Sequence, residues 1–574
     1  MKKSKYLICF IIAIIAFACL FSEDLRDFYP DRITVGFSVG FVGNSRGELD
    51  IQVENGIVST PYIWFNDLAR EYQVTYMARK YTVKNQEWNH NGIYPMNIFR
   101  LVTRDIDRID DLIDDLLSNS NVLFAEQEGV AGVFDTENHS NVTRQWFLHK
   151  IQAPEAWTLQ TGSPDVVVGI VDTGVSWNHP NLYPNIWVNE AERPGIILNK
   201  ADGDIDGGDG FDNDGNGFID DFMGWNFFLN DSRPQNNPFQ SLQGNIQGTH
   251  LSGIVAAIDT TNTEIIGIAH TSKVLNTKHI AFGTNTGTGQ MTDPIGGIYY
   301  MVDTGVRIIN CSWRAVGLNT DIETVAEYAQ THGALIIAAA GDIGEQSKIY
   351  PAADPLVIAV AATDSLDARL QGSSYGDWID ISAPGGDIMS TSFASNGFHS
   401  TGSLRGTAPA AAIVSGVAAL ILSQNPDMTV DQLRNILLAG VDDVIDPNSL
   451  LMGSGRVNAY KGVQSVTVDL IAQSLTGSSG TVGLEELTYN VSVINEGNTT
   501  ASSYTIKLMS GLSELASVTG PPIAPKAIEI IPITWTPPRF GSYQLYGHVE
   551  FLYDQDHSNN TTNVLNVNVT SHIN

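Results

Sequence analysis

An acidic segment between residues 202 and 221 has the residue types and the spacing of a calcium-binding loop. In the run that begins at Asp212, oxygen-bearing side chains stand at positions one, three, five and nine, and Gly217 at position six permits a sharp turn. Met223 stands where a bidentate glutamate would complete the shell, so a neighbouring aspartate must take that role. The segment predicts a structural calcium ion, with a solvated acidic turn as the alternative. The candidate ligands are Asp212, Asp214, Asn216, Asp220 and Asp221.

Three further segments lie where groups for acyl transfer would be expected. They read Ile170-Val-Asp-Thr-Gly-Val175, Gln247-Gly-Thr-His-Leu-Ser-Gly253 and Gly406-Thr-Ala-Pro-Ala-Ala-Ala-Ile-Val-Ser-Gly416. In chain order they resemble the aspartate, histidine and serine segments of subtilisin-like serine proteases. The resemblance implies a peptidase S8 domain in which Asp172 is the carboxylate that orients the catalytic histidine. Taken alone, Asp172 would be interpreted as an acid that caps the turn after a strand.

The histidine position of this resemblance is occupied by Gln247. A glutamine amide can donate a hydrogen bond to Asp172, but it has no basic nitrogen that can accept a proton. His250 aligns with a second, supporting histidine of the family and lies on a neighbouring helical face. We therefore expect a packed, hydrogen-bonded histidine at 250 and not a substitute base.

The serine position is occupied by Ala408. The alignment is anchored by Val414-Ser-Gly416 and by the apolar helix that follows, and it leaves no gap. Pro409 suits the first turn of a helix, where its missing N–H costs nothing. The sequence thus predicts the family's helix without its nucleophile. Ser403, just upstream, is the alternative nucleophile if the protein is a peptidase after all.

Two more positions of the resemblance depart from a working protease. Asp342, in Ala338-Ala-Ala-Gly-Asp-Ile-Gly344, stands where an asparagine side chain donates to the oxyanion. An ionised carboxylate cannot donate and would repel the developing negative charge. In Asn310-Cys-Ser-Trp-Arg314, the resemblance assigns Ser312 and Arg314 to the substrate cleft, with Arg314 where a glycine lets the substrate backbone approach closely.

These departures predict a pseudopeptidase, a non-catalytic protein that uses the subtilase fold to bind or display a polypeptide or cell-surface ligand. The alternative is a serine-type endopeptidase that cleaves extracellular proteins with an unrecognised nucleophile. Without a triad, the pro-region cannot be removed by the self-cleavage typical of the family. We therefore expect the protein's own pro-region to stay attached.

The elements that would position these residues form four regions. Residues 1–22 have the layout of a signal peptide, and residues 23–140 resemble the α+β pro-region of secreted subtilases. Residues 141–464 alternate apolar strands with helices, which predicts an α/β domain on a parallel, subtilisin-like sheet. Residues 465–574 alternate apolar and polar positions between turns, which predicts an immunoglobulin-like β-sandwich. This last region resembles the cell-adhesion-related (CARDB-like) domains appended to secreted enzymes.

The leader and the charge bear on location and partners. Lysines precede the apolar run Leu7–Ala18, which is shorter than a membrane span, so we expect a secreted or cell-envelope protein with no span after signal removal. Acylation of Cys19 would give a lipid anchor as an alternative. The net charge of −32, or −35 without the leader lysines, argues against nucleic acid and anionic membranes as partners. Because only Cys311 lies outside the leader, an exported protein would have no disulfide, and its stability must come from core size, bound ions or both.

Overall fold

The described part of the chain, in a computed structural model, does not include the leader with Cys19 or several other segments. It comprises residues 28–38, 49–84, 88–90, 92–133, 145–199, 204–228, 246–259, 265–280, 290–316, 319–393, 399–444, 451–501, 503–551, 554 and 556–571. The chain divides into two compact units. The first comprises residues up to 81 with 86–131 and 315–320, and the second comprises residues 82–85, 132–314 and 321–574.

The first unit is an α+β structure, as the sequence predicts. Its elements are β1 (Phe28–Phe37), β2 (Gln52–Glu54), β3 (Ile57–Ser59), α1 (Ile63–Glu71), β4 (Val74–Arg79), β5 (Ile98–Thr103), α2 (Ile109–Leu117) and β6 (Val122–Val133). Strands β6, β1, β5 and β4 pair in that order, and the neighbouring strands are antiparallel. Alternate residues of β1, Ile33, Val35 and Phe37, are buried in one core with Phe65 and Phe99.

The strands and helices of the next domain alternate, and the domain lies in the second unit except for residues 315–320, at the end of β14 and the start of α7. Its elements are α3 (Trp146–Lys150), α4 (Ala153–Ala156), β7 (Val167–Asp172), β8 (Ile196–Asn199), β9 (Asp204–Gly207), β10 (Gly224–Asn226), α5 (Gln247–Ala256), β11 (Lys273–Lys278), β12 (Gln290–Met291), α6 (Pro294–Asp303), β13 (Ile308–Cys311), β14 (Trp313–Val316), α7 (Asn319–Thr331), β15 (Leu335–Ala339), β16 (Ile358–Thr363), β17 (Ile381–Pro384), β18 (Ile388–Phe393), β19 (His399–Leu404), α8 (Thr407–Gln424), α9 (Val430–Ala439), β20 (Val441–Asp442), β21 (Arg456–Val457) and α10 (Ala459–Gln464).

A nine-stranded sheet organises this domain, in the order β10-β11-β7-β13-β15-β16-β17-β21-β20. Every pair is parallel except β20 with β21. The strands are almost continuously buried because helices cover both faces of a parallel sheet. The predicted α/β class is confirmed. Because β7 and β15 run parallel in the sheet, their carboxyl ends place Asp172 and the segment that leads to Asp342 at the same edge.

The helix α8 is the longest helix of the domain and is buried over nearly its whole length. Its apolar and small residues pack on the sheet, and only its last residue, Gln424, is not buried. Gly406 precedes it with φ of 124°, a conformation that favours glycine. Among the described helices, α8 is the one long and apolar enough to span a membrane, and 94% of that window is buried in the protein. It is therefore a core helix.

The chain ends in a β-sandwich, as predicted. Its strands are β22 (Leu470–Gly477), β23 (Gly480–Val482), β24 (Leu487–Asn495), β25 (Tyr504–Ser510), β26 (Ser513–Gly520), β27 (Ile528–Trp535), β28 (Gly541–Glu550) and β29 (Leu565–Val569). They form two sheets in the orders β22-β24-β27 and β23-β29-β28-β25-β26. Alternate apolar residues fill the space between the sheets, among them Tyr489, Val491 and Leu545.

Candidate active site

Asp172 is the last residue of the strand β7 and is completely buried. Its Oδ1 accepts a hydrogen bond of 2.7 Å from the backbone N–H of Thr173, and its Oδ2 accepts one of 2.8 Å from Gln247. Burial raises the pKa of Asp172 to about 7, against the lowering effect of these hydrogen bonds. The carboxylate is thus placed to hold one side chain at the start of α5.

That side chain is Gln247, the first residue of α5, which is 1% exposed. Its Nε2 donates to Asp172 Oδ2 at 2.8 Å and to the backbone oxygen of Ser312 at 2.9 Å. A primary amide carries two hydrogens, so both are used in these two bonds. Gln247 therefore joins β7, α5 and the segment after β13, and its nitrogen has no lone pair for a proton.

His250 lies one turn further along α5 and is directed at a different element. Its Nε2 is 2.8 Å from the backbone oxygen of Ile388 and 3.2 Å from that of Gly402, so this nitrogen carries the proton and donates. Ile388 and Gly402 belong to the antiparallel hairpin β18–β19. Burial lowers the pKa of His250 to about 4. The histidine is neutral and structural, as the sequence analysis expects.

Ala408 is the second residue of α8 and is completely buried. Its backbone oxygen accepts a hydrogen bond of 3.2 Å from the hydroxyl of Ser312, which in turn accepts one of 2.9 Å from Asn310 Nδ2. Ser415, two turns along α8, donates to Asn310 Oδ1 at 3.1 Å. The polar groups around Ala408 therefore join α8 to β13, and the alanine side chain adds only a methyl group.

Two hydroxyls near this segment are candidate nucleophiles by residue type. Ser403 is completely buried in β19, opposite Met389 of β18, and its Oγ has no hydrogen-bond partner among the described residues. Ser312 is also completely buried, and its hydroxyl is bonded to Asn310 and Ala408. Neither hydroxyl is hydrogen-bonded to a histidine or another base in the described structure.

Asp342 follows β15 and meets the amino terminus of α8. Its Oδ1 accepts a hydrogen bond of 2.9 Å from the N–H of Thr407, and its side chain is half-buried. Burial raises the pKa of Asp342 to about 7, against the effects of the Thr407 hydrogen bonds and the charge of Arg405. A Cβ on Gly406 would lie 2.6 Å from Asp342 Oδ2, so glycine is required there. An acceptor thus occupies the position at which the family places an oxyanion donor.

Arg314 lies in β14, two residues after Ser312, and is half-buried. The intervening Trp313 is completely buried. Ser312 lies between β13 and β14 and is completely buried, so of these two residues only Arg314 reaches solvent. The long, positively charged side chain of Arg314 thus occupies a position at which the resemblance implies a glycine.

Comparison with known proteins assigns the chain to a family. The model described as "Subtilase family" matches residues 163–456, about half of the chain, and the model for CARDB matches residues 467–567. The chain belongs to the subtilase family. Thermitase from Thermoactinomyces vulgaris is 34% identical over 322 residues, which cover 56% of this chain and 96% of thermitase.

Two further relatives of this subtilase are matched over part of their length. The thermophilic serine proteinase of Bacillus sp. (strain AK1) is 29% identical over 54% of this chain and 64% of the relative. The halolysin-like extracellular serine protease Nep of Natrialba magadii is 28% identical over 61% of this chain and 56% of the relative. The chain therefore spans less than two thirds of these two proteins.

The subtilase domain also contains a cluster of three carboxylates. Glu192, Asp214 and Asp221 each place an oxygen within 4.8 Å of the others. Burial raises the pKa of Asp221 to about 7, and the charges of the other two carboxylates add to this effect. None of the three forms an ion pair with lysine or arginine within the described ranges. Three close carboxylate oxygens without a cationic partner fit the oxygen ligands that calcium prefers.

The other predicted ligands have different contacts. Asp212 accepts hydrogen bonds from the N–H groups of residues 215, 216 and 217, and Asp220 accepts from those of residues 209 and 210. Both carboxylates lie outside the cluster of three and bind the loop backbone, as Glu192 also does through the N–H groups of residues 213, 214 and 220. Asn216 Nδ2 donates to Asp214 and Asp221, at 3.2 and 3.0 Å, and so supports the cluster through its nitrogen. Sequence spacing missed Glu192 because it lies in a separate turn, 20 residues before Asp212.

Proposed function

We propose that this subtilase is a non-catalytic member of its family that binds a polypeptide or cell-surface ligand without hydrolysing it. The observation that carries the proposal is the 2.8 Å hydrogen bond from Gln247 to Asp172, which puts a group without a basic nitrogen at the base position. Ala408 adds no hydroxyl at the nucleophile position, and Asp342 adds an acceptor at the donor position. The three chemical requirements of acyl transfer are each replaced.

The relatives favour the alternative, a serine-type endopeptidase, since two of them are named as serine proteases. That function needs a nucleophile other than residue 408, and Ser403 is the candidate. Activation of a serine hydroxyl requires a base within hydrogen-bonding distance. The described residues give Ser403 no such partner, so the geometry at the site supports the non-catalytic function.

An activity assay separates the two functions. We expect the purified protein neither to cleave casein nor to react covalently with a fluorophosphonate probe, because both need an activated serine. The variant Gln247→His, Ala408→Ser, Asp342→Asn restores the family's residues and serves as the positive comparison. Casein cleavage or probe labelling by the unaltered protein contradicts the proposal. Loss of that activity in Ser403→Ala would establish the endopeptidase function.

We also propose that the protein is exported and that residues 23–140 stay covalently attached. The signal-like leader and the extracellular relative support export, and acylation of Cys19 is the alternative that would hold the protein at the envelope. The strongly acidic composition supports a partner other than nucleic acid. Retention of the amino-terminal region follows from the missing triad, because self-cleavage needs the same nucleophile.

Calcium is the ion that we propose for the cluster of Glu192, Asp214 and Asp221. When bound, it would neutralise carboxylates that otherwise repel one another at short range. Asp212 and Asp220 would hold the loop around it through their backbone hydrogen bonds. In this proposal Glu192 replaces Asp212 and Asp220 in the ligand set that the sequence predicts.

Calcium removal tests this ligand set. We expect isothermal titration calorimetry to detect calcium binding and a chelator to lower the melting temperature, since an ion that binds only the folded state stabilises it. The variant Glu192→Gln should weaken binding at least tenfold. Asp209→Asn, which alters an aspartate of the same loop outside the cluster, is the matched control. Unchanged affinity in Glu192→Gln, or no binding at all, would rule out the site.

A further inference from the structure

The connection between the subtilase domain and the sandwich is very short. Val466 is buried in the core of the subtilase domain, and Val468 is buried in the core of the sandwich. Thr467 alone lies between them. Two residues of extended chain span at most about 7 Å, so the two cores are joined without slack. Domains in one chain are more often connected by exposed, flexible linkers.

The connecting segment is also bound along its length. Thr467 N–H donates to Asn498 Oδ1 at 2.9 Å, and Thr467 O accepts from the N–H groups of Asn498 and Thr499 at 2.9 and 3.0 Å. Asn498 Nδ2 donates to the backbone oxygen of Ser465 at 2.7 Å. The sandwich turn at 498–499 therefore holds residues on both sides of the junction in place.

The same turn of the sandwich is bound by the segment between α8 and α9. Asn425, the residue after α8, is completely buried, and its Nδ2 donates to Thr499 Oγ1 at 2.8 Å and to Thr500 O at 3.1 Å. Gln432 Nε2, in the first turn of α9, donates to Thr500 Oγ1 at 3.1 Å. Thr499 is also completely buried. Buried polar groups of this kind are stable only while their partners stay in place.

Both sides of this contact are fixed within their own domain. The guanidinium of Arg307 donates to the backbone oxygens of Gly333, Pro426 and Met428 at 2.6 to 2.9 Å, which holds the segment after α8. On the sandwich side, the buried Asn495 Nδ2 donates to Thr499 O at 2.8 Å and to Ile523 O at 3.1 Å. The contact joins two rigid surfaces, so forming it orders little additional chain.

We propose that the sandwich is docked in a fixed position on the subtilase domain, held there by hydrogen bonds from the side chains of Asn425 and Gln432. These two side chains bind the turn 498–500 of the protein's own sandwich. The acceptors are threonine hydroxyls and a backbone oxygen of that turn. Both domains belong to one compact unit, in agreement with a docked arrangement. The inference is independent of whether the subtilase domain is catalytic.

Limited proteolysis with mass mapping tests the docking in the full chain. A docked sandwich should protect residues 464–468 from a broad-specificity protease, because cleavage requires local unfolding of the segment. Asn425→Ala should increase cleavage there at least tenfold. Thr499→Val, which removes one hydroxyl with little change of shape, should also increase cleavage there. It provides an independent test if Asn425→Ala folds poorly. Thr488→Val, on an exposed position of β24, is the control and should leave the rate unchanged.

Calorimetry provides a second measurement on the same samples. Docking predicts that the two domains of the unaltered protein unfold in a coupled transition, which Asn425→Ala and Thr499→Val separate into two. Rapid cleavage at 464–468 in the unaltered protein would overturn the proposal. Equal cleavage rates in the unaltered protein and both variants would overturn it too.

Discussion

Single residues of the site decide how much peptidase activity could survive. In subtilisin, the member of this family in which the effects were measured, loss of the serine or of the histidine lowers turnover by roughly 10⁶, and loss of the oxyanion asparagine by roughly 10² to 10³. These effects are not additive, and the acceleration that survives in subtilisin comes from the oxyanion hole and from substrate binding. Here Asp342 and Arg314 stand at the positions that would supply the oxyanion hole and the substrate-binding cleft. Residual catalysis should therefore be negligible.

Asp342 also makes stability depend on pH. Its pKa is about 7 in the folded protein and near 4 when unfolded, so between these values the folded state binds more protons. The stabilisation of the folded state that comes from this protonated carboxyl is complete below pH 4 and is lost as the pH rises to 7. Asn at this position keeps an acceptor for Thr407 and cannot ionise. We expect Asp342→Asn to raise the free energy of unfolding at pH 8 by about 1–3 kcal/mol.

Urea denaturation at pH 8 and pH 4 checks this prediction. The stabilisation by Asp342→Asn should be much smaller at the lower pH, where the carboxyl of the unaltered protein is protonated in the folded state and about half protonated in the unfolded state. Asp165→Asn, at an exposed position of the same domain, is the control and should shift stability little at either pH. An equal effect of Asp342→Asn at both pH values would disagree with the assigned ionisation.

At the scale of elements, α5 connects the sheet to the hairpin β18–β19. Gln247 binds Asp172 on the sheet side, whereas His250 binds backbone oxygens of both hairpin strands. The hairpin returns two hydrogen bonds of 2.8 Å, from Ser390 to the backbone oxygen of residue 250 and from Thr391 to that of residue 249. The helix that would carry the catalytic base is therefore held from two sides by buried polar bonds.

His250 gives this element a pH dependence of the opposite sign. Its folded pKa of about 4 lies below the ordinary value near 6.5, so stability falls as the pH decreases from 6.5 to 4 and only the unfolded state gains the proton. We expect His250→Gln to lower the free energy of unfolding at pH 7 by about 1–3 kcal/mol through poorer hydrogen bonding. The difference in free energy of unfolding between the unaltered protein and His250→Gln, called the gap below, should be smaller at pH 5.

Thermal unfolding at pH 7 and pH 5 measures that gap. His557→Gln, at an exposed position of the sandwich, is the control and should leave the melting temperature nearly unchanged at both values. A gap that stays constant or widens at pH 5 would show that His250 is not neutral in the folded protein.

At the scale of the whole molecule, the prediction concerns covalent continuity. Without a self-cleaving site, residues 23–140 and 141–464 should remain in one polypeptide. Intact-mass measurement of the protein from a host deficient in proteases should show a single chain containing both regions. A mature amino terminus near residue 140 in that host would contradict both retention and the absence of catalysis.

Local patterns were sufficient for some parts of this molecule and not for others. The apolar runs that end at Asp172 and begin at Ala408 predicted β7 and α8, because each is almost wholly buried. Glu192 was missed because its carboxylate meets Asp214 and Asp221 only through the fold. The spacing that selected Asp212 could not reveal that the fold places this carboxylate outside the cluster. Long-range contacts between polar groups leave no periodic signal in a sequence.

The composition of α8 has a consequence for biogenesis. Export, as proposed above, would move this chain across a membrane before folding, and α8 is long and apolar enough to stop there. Inside the folded protein all residues of α8 except Gln424 are buried. If the chain is exported unfolded, α8 would have the length and composition of a membrane anchor until folding buries it.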